Sequence, residues 1–211
     1  MSIKSKITRR HFIVASTAAS GGLAIGFYLP GAEASTLPSN QEGSKISNQP
    51  WMSPTEKGGA EVNAWLVISP DDTVTIRVAQ SEMGEGVFTA MPMIAAEELH
   101  CDWNKAQAEY ASANRSIREG GVYKRMATNG SGAVRRSRRY LQQAGASARE
   151  RLIQAAADQW QVPATTCTAK DSIVTHTATG KTLRYGEIAH EASTIQLSKE
   201  PAIKTPKQFT L

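Results

Sequence analysis

Ser81-Glu82-Met83-Gly84-Glu85-Gly86-Val87-Phe88-Thr89-Ala90-Met91 lies mid-chain between two unlike patterns. Before it, Val74, Ile76 and Val78 alternate as a half-buried strand does. After it, Val87, Met91, Ile94, Ala95 and Leu99 fall near one face of a helix. Gly84 and Gly86 bracket the turn between the two, where a residue without Cβ lets the backbone take positive φ or lie against a ligand. The first amides of a helix have no partner within it, so a strand–glycine turn–helix unit is a candidate anion cradle. The spacing is neither G-x-G-x-x-G nor G-K-[ST], so it does not name a nucleotide. Pro92 places the helix start near Thr89 or a bend at the proline.

Upstream of this unit, Asn63 opens the body of the chain. Ala64-Trp65-Leu66-Val67-Ile68 is almost wholly apolar, which predicts a strand covered on both faces. Ser69-Pro70-Asp71-Asp72 carries a type I turn signal, with proline pre-setting φ at its second position. The alternation from Thr73 to Val78 completes a hairpin.

Downstream, a short strand over 106–111 leads into a long loop, 112–130, which contains Gly120-Gly121. Asn129-Gly130-Ser131-Gly132 closes the loop and precedes the longest helix, 133–160, about 42 Å at 1.5 Å per residue. Leu141, Ala144, Gly145, Ala148, Leu152, Ala155 and Ala156 form its buried stripe, small enough for close packing. A second hairpin (167–169 and 173–176) and a short helix over 185–192 follow. From Thr194 the chain reads as extended to its end, without a cap. The fold class expected is α+β: β-hairpins packed with one long and two shorter helices.

Residues 1–34 read as a targeting segment. Lys4, Lys6, Arg9 and Arg10 precede an Ala/Gly-rich apolar run from Ile13 to Leu29, and Thr8-Arg9-Arg10-His11-Phe12-Ile13 has the twin-arginine pattern. Ala32-Glu33-Ala34 offers a small-x-small cleavage site. The run is too short and glycine-rich for a good membrane span, with membrane association left open. The expected location is the periplasm, reached by the twin-arginine route, which carries folded proteins. Residues 35–62, rich in Ser, Pro, Gly, Asn and Gln, read as a linker or extended arm.

The 24 Lys and Arg against 19 Asp and Glu give a formal charge of +5. Removing residues 1–34 takes away four cations and one acid, leaving 20 against 18 and a net of +2. That near-neutral balance argues against a nucleic-acid partner. Two scattered cysteines, Cys101 and Cys167, lack the spacing of a zinc or iron–sulfur site; one disulfide or two buried thiols remain open. No metal ligand is assigned: His100-Cys101-Asp102 are adjacent residues at a helix end and diverge. No Ser-His-Asp catalysis can be argued for His176 or His190. Glu97 and Glu98 read as surface charge.

Two further features bear on ligand binding. The 129–132 turn is a second anion cradle, or an ordinary loop capped by Ser131 or Asn129. Arg135, Arg136, Arg138 and Arg139 crowd the start of the long helix. They suit a cofactor phosphate, a nucleic-acid backbone, a partner subunit or simply water. Cations there oppose the helix dipole, which calls for an anion nearby.

Gln80-Ser81-Glu82-Met83-Gly84-Glu85-Gly86-Val87, followed by Ala95-Ala96-Glu97-Glu98-Leu99, resembles the E-M-G-Q-G turn of the molybdenum hydroxylases. Within that xanthine dehydrogenase/aldehyde oxidase family, it is similar to large subunits of the isoquinoline 1-oxidoreductase and membrane-bound aldehyde dehydrogenase type. The resemblance runs from about residue 60 to the C-terminus, and the twin-arginine leader fits the same group. It implies that residues 63–211 are part of a larger molybdenum-cofactor-binding domain. The cofactor implied is molybdopterin, in its dinucleotide form, contacted by Gly84, Glu85, Gly86, Gly130, Ser131 and Gly132. Glu85 stands where many relatives have glutamine, and a carboxylate repels a phosphate unless it is paired.

In the family the cofactor carries out the oxidation of an aldehyde or N-heterocycle, and a glutamate far downstream is the general base. The resemblance therefore implies the N-terminal piece of a longer subunit, with no catalytic residue in this chain. The partners it implies are the remainder of the large subunit, an iron–sulfur electron-transfer subunit and a membrane cytochrome c subunit. The alternative is a non-catalytic periplasmic α+β module that binds a partner subunit or an anion.

Overall fold

A computed structural model describes residue 55 and residues 58–211. The twin-arginine segment and nearly all of the arm lie outside the described residues. The described residues build two sheets. Strand β1 (Ala60–Asn63) pairs antiparallel with β2 (Leu66–Ile68), which pairs antiparallel with β3 (Val74–Val78). Helix α1 (Val87–Leu99) then carries the chain over to β4 (Ala106–Tyr110), parallel to β3 in the order β1-β2-β3-β4. A parallel neighbour needs such a crossover, because a tight turn can only reverse direction.

The predicted Ser69–Asp72 turn is present, with Asp72 N donating to Ser69 O at 3.0 Å. Asp72 sits at φ 71° and is buried. Its carboxylate accepts from Lys105 Nζ (3.0 Å), Arg184 Nη1 (2.9 Å) and the Gly186 amide (2.9 Å), which fixes the turn to the C-terminal part of the chain. As expected for β2, Leu66, Val67 and Ile68 are all inaccessible to water. The alternation in β3 holds too, but its second face is also covered. Arg77, buried there, bonds Glu109 of β4 (Nε to Oε1, 2.8 Å) and Glu61 of β1.

Helix α2 (Ala113–Arg118) occupies part of the predicted 112–130 loop, N-capped by Ser112 Oγ accepting from Arg115 N at 3.2 Å. Arg115 forks onto Glu61, with 2.8 Å and 2.7 Å contacts to its two carboxylate oxygens. This long-range ion pair fixes a helix too short to be stable alone. The expected start of the body at 63 falls inside β1: the strand opens at Ala60, and Val62 is 1% exposed.

Helix α3 (Ala133–Trp160) has the predicted bounds. The second sheet follows as β5 (Cys167–Lys170), β6 (Ile173–His176) and β7 (Thr182–Arg184), all antiparallel, and α4 (Tyr185–Thr194) closes the fold. One apolar core takes in β1–β3, α1, α3, β5, β6 and α4. The architecture is α+β, as expected. Cys101 and Cys167 are buried free thiols, and burial pushes the Cys101 thiol up to about 12.

Glu97 and Glu98 overturn their reading as surface charge: they are 8% and 0% exposed. Glu98 accepts the Lys204 amide on both oxygens at 3.0 Å and the Gln142 side chain at 3.1 Å. Glu97 pairs with Lys204 Nζ and accepts the amides of Thr210 (2.9 Å) and Leu211 (2.7 Å). Consecutive helical residues diverge, and here each meets a different part of the same C-terminal segment. That segment, which reads as loose in the sequence, is thus strapped across α1 and α3.

Candidate functional site

Helix α1 begins at Val87, with Gly86 as its N-cap at φ 83° and Gly84 before it at φ 101°. The helix starts two residues before Thr89, near the expected place, and runs through Pro92. Both glycines adopt the left-handed conformation expected of them. The turn's amides, however, do not face outward. Glu82 Oε1 accepts Gly84 N (2.7 Å) and Gly86 N (2.9 Å), and its Oε2 accepts Phe88 N (2.9 Å). Glu85 Oε2 accepts Met83 N at 2.8 Å. The expected cradle is therefore filled by the chain's own carboxylate, which also offsets the positive end of the helix dipole.

The amides of Phe88, Gly86 and Gly84 together hold the Glu82 carboxyl below the usual carboxylate range. The bonded form is the ionised one, so the cap is complete above the ordinary glutamate pKa and is lost as pH falls through the lowered value. In an NMR titration the Gly84, Gly86 and Phe88 amide shifts are expected to move together, with one midpoint below that of an ordinary glutamate. A midpoint at the ordinary value would show that the carboxylate does not hold these amides.

The second turn faces the first. Thr128 Oγ1 donates to Ser81 O at 2.9 Å, and Gln80 Nε2 donates to Arg125 O at 2.6 Å, so the 125–132 segment is tied to the end of β3. Glu85, Gly130, Ser131 and Gly132 line one cleft of about 410 Å³, together with Met83 and Val134. Gly84 and Gly86 belong to the same turn as Glu85 but do not line the cleft.

At the start of α3 the situation is the reverse of α1. Gly130 and Ser131 have φ of 57° and 49°, and Gly132 is an N-cap without a side-chain bond. Among the described residues the amides of Ala133, Val134 and Arg135 and the hydroxyl of Ser131 have no acceptor or donor partner. Arg135, Arg136, Arg138 and Arg139 are all exposed and form no ion pair among the described residues. Arg136 folds back over the turn: a Cβ at Gly132 would lie 2.6 Å from its guanidinium carbon, and its Nη1 reaches Asn129 Oδ1 at 3.5 Å. One side of the cleft carries the Glu85 carboxylate, and the other the 130–134 backbone and the Ser131 hydroxyl, with Arg136 beside the turn but not among the lining residues.

The remaining candidates are structural. Asp102 caps a short turn by accepting Asn104 N at 2.9 Å, and burial followed by Lys204 and Arg149 lowers the His100 pKa. His176 Nδ1 sits 2.8 Å from Thr179 Oγ1. Among the described residues no group of three or more His, Cys, Asp or Glu side chains could hold a metal ion, and no helix is long and apolar enough to cross a membrane.

Residues 15–210 match the molybdopterin cofactor-binding domain. The chain is 28% identical over 185 residues to the membrane-bound aldehyde dehydrogenase [pyrroloquinoline-quinone] of Gluconacetobacter polyoxogenes, covering 88% of this chain and 21% of the relative. It is 29% identical over 186 residues to the isoquinoline 1-oxidoreductase subunit beta of Brevundimonas diminuta, covering 87% and 22%. The chain thus spans about a fifth of the length of these relatives. Among solved structures, quinoline 2-oxidoreductase from Pseudomonas putida 86 aligns with a TM-score of 0.41 at 19% identity, over 61% of this chain and 16% of that one. The CO dehydrogenase of Oligotropha carboxidovorans aligns at 0.45 and 17%, over 65% and 17%. Superpositions this loose carry no argument about the site. The match to the domain over nearly the whole sequence does carry one: the chain belongs to the molybdopterin cofactor-binding domain family.

Proposed function

We propose that this chain supplies one part of the cofactor-binding surface of a molybdopterin-dependent oxidoreductase that acts on an aldehyde or N-heterocycle. The observation that supports this reading is the convergence of the 83–87 and 128–134 turns on one cleft. The family assignment names molybdopterin, although one relative's name carries pyrroloquinoline quinone. The residues fit the group unevenly. Ser131 and the open amides of Ala133, Val134 and Arg135 suit a phosphate, supported by the arginines behind them. Gly84 and Gly86 do not suit one, because Glu82 already takes their amides. When bound, the cofactor supplies the redox chemistry. The role of this chain is to hold and orient it, and no general base is assigned to it.

The finer parts of the reading rest on the leader and on the sequence resemblance. Twin-arginine export would deliver the loaded protein to the periplasm, where the remainder of a large subunit, an iron–sulfur subunit and a membrane cytochrome c would complete the electron path. A dinucleotide form of the cofactor would place a second phosphate near Arg136. A second reading, a non-catalytic module that binds an anion or partner subunit, draws on the four exposed arginines, which form no ion pair among the described residues.

Co-expression of the chain with its genomic neighbours, followed by molybdenum and pterin analysis of the purified complex, decides between them. Bound pterin with molybdenum is expected, and Ser131→Asp is expected to lower pterin content about tenfold by placing a like charge at the phosphate. Aspartate tolerates the left-handed backbone at this position, so the fold is retained. A stable complex devoid of pterin in the wild type would leave the second reading.

A further inference from the structure

Asn129-Gly130 is the only asparagine–glycine pair in the sequence. Two guanidiniums hold the asparagine side chain: its Oδ1 accepts from Arg125 Nη2 at 3.0 Å and from Arg136 Nη1 at 3.5 Å. The Gly130 amide has no acceptor among the described residues, and both Asn129 and Gly130 are exposed. Glycine carries no Cβ to shield that nitrogen. We propose that this turn modifies itself: Asn129 deamidates to aspartate or isoaspartate, with Arg125 and Arg136 assisting the reaction. The site stands whether or not the cleft takes a cofactor.

The Gly130 nitrogen attacks Cγ of Asn129, the Cγ–Nδ2 bond breaks, and the amide proton leaves with Nδ2 as ammonia. The cyclic imide then takes up one water at either of its carbonyls. No oxidant or reductant is needed, since asparagine plus water becomes aspartate plus ammonium. Negative charge builds on Oδ1 as the nitrogen attacks, and that oxygen already carries two cationic donors. Their hydrogen bonds therefore strengthen toward the transition state. The same two cations favour loss of the proton from the attacking amide. The other asparagines among the described residues lack this arrangement. Asn63 is held from both sides, donating to Ala144 O and accepting from Trp65 N, each at 3.0 Å. Asn104 and Asn114 precede amides that are already engaged: Lys105 N donates to Asp102 O at 3.0 Å, and Arg115 N to Ser112 Oγ at 3.2 Å. The product carboxylate would lie beside Arg125 and Arg136 and would replace a neutral amide on the cleft lining.

The test is to incubate the purified full chain at neutral pH and follow each asparagine by tryptic peptide mass and isoaspartate content. Conversion at Asn129 is expected to run about tenfold faster than at Asn63, Asn104 or Asn114. Arg125→Gln and Arg136→Gln, made together, are expected to slow it about tenfold while leaving the other asparagines unchanged. Both arginines are exposed and form no ion pair among the described residues, so the fold is retained, which the thermal midpoint checks. A synthetic peptide spanning 126–135 has the same asparagine–glycine pair without either arginine, and it is expected to convert more slowly than the folded chain. Conversion at Asn129 no faster than at the other asparagines would overturn the proposal. So would an unchanged rate in the folded double variant, or a peptide that matches the chain.

Discussion

Gly145→Ala is expected to destabilise the chain by about 3 kcal/mol, seen as a fall of roughly 10 °C in the thermal midpoint of a protein this size. In an exposed helix the same change is normally stabilising by about 0.5–1 kcal/mol, because alanine loses less backbone entropy. At Gly145 the sign reverses for a steric reason. A Cβ built there lies 2.3 Å from the carbonyl oxygen of Ala95 and 2.8 Å from Glu98 Cβ. The nearest atom is backbone, which no rotamer change can move aside. Helices α1 and α3 would have to separate, opening gaps around Ala95, Ala96, Ala144 and Ala148, all buried at this contact. Calorimetry or guanidinium melts measure the effect. An unchanged or raised midpoint would mean that the two helices do not approach as closely as described.

Glu98→Ala is expected to cost roughly 3–5 kcal/mol, the range for breaking a buried charged network by removing one partner. The carboxylate is 0% exposed, and the change strands the Lys204 amide, the Gln142 side chain and the nearby Arg149 guanidinium, 3.9 Å away. The loss is also local, because the strap from 200 to 211 is released. Tryptic cleavage after Lys204 and Lys207 should accelerate well before the core melts, which separates strap release from global unfolding. Cleavage at the wild-type rate in a folded variant would refute the clamp. Glu97 gives the same strap a pH dependence. Burial pushes its carboxyl up, but the bonds from Lys204, Thr210 and Leu211 together outweigh burial and hold it below the ordinary value. Its contribution is therefore complete above the ordinary glutamate pKa and disappears as pH falls through the lowered one, so strap cleavage should rise in acid and not in base.

Local rules made much of this fold readable. The Ser69–Asp72 turn, the β3 alternation and the bounds of α3 follow from proline, period two and a small-residue stripe, each within a few residues of its cause. What escaped reading depends on distant partners. Helix α2 exists because Arg115 reaches Glu61, 54 residues away in sequence. Glu97 and Glu98 are buried because donors arrive from residues 204–211, more than a hundred positions later. At the cleft the glycines were legible because positive φ has a residue signature. The carboxylate that fills their turn was not, because glutamate before a helix is common and nothing in the string says which way it bends.

The Glu82 staple has a bearing on the kinetics of capture. A glycine-rich loop left to itself would sample many shapes and would have to be ordered by whatever it binds, weakening the association by that entropy. Here three hydrogen bonds that backbone amides donate to a single carboxylate have already set the loop during folding, so an incoming molecule meets a surface in its final shape. Association should then proceed as a single bimolecular phase, with no slower step of loop rearrangement behind it.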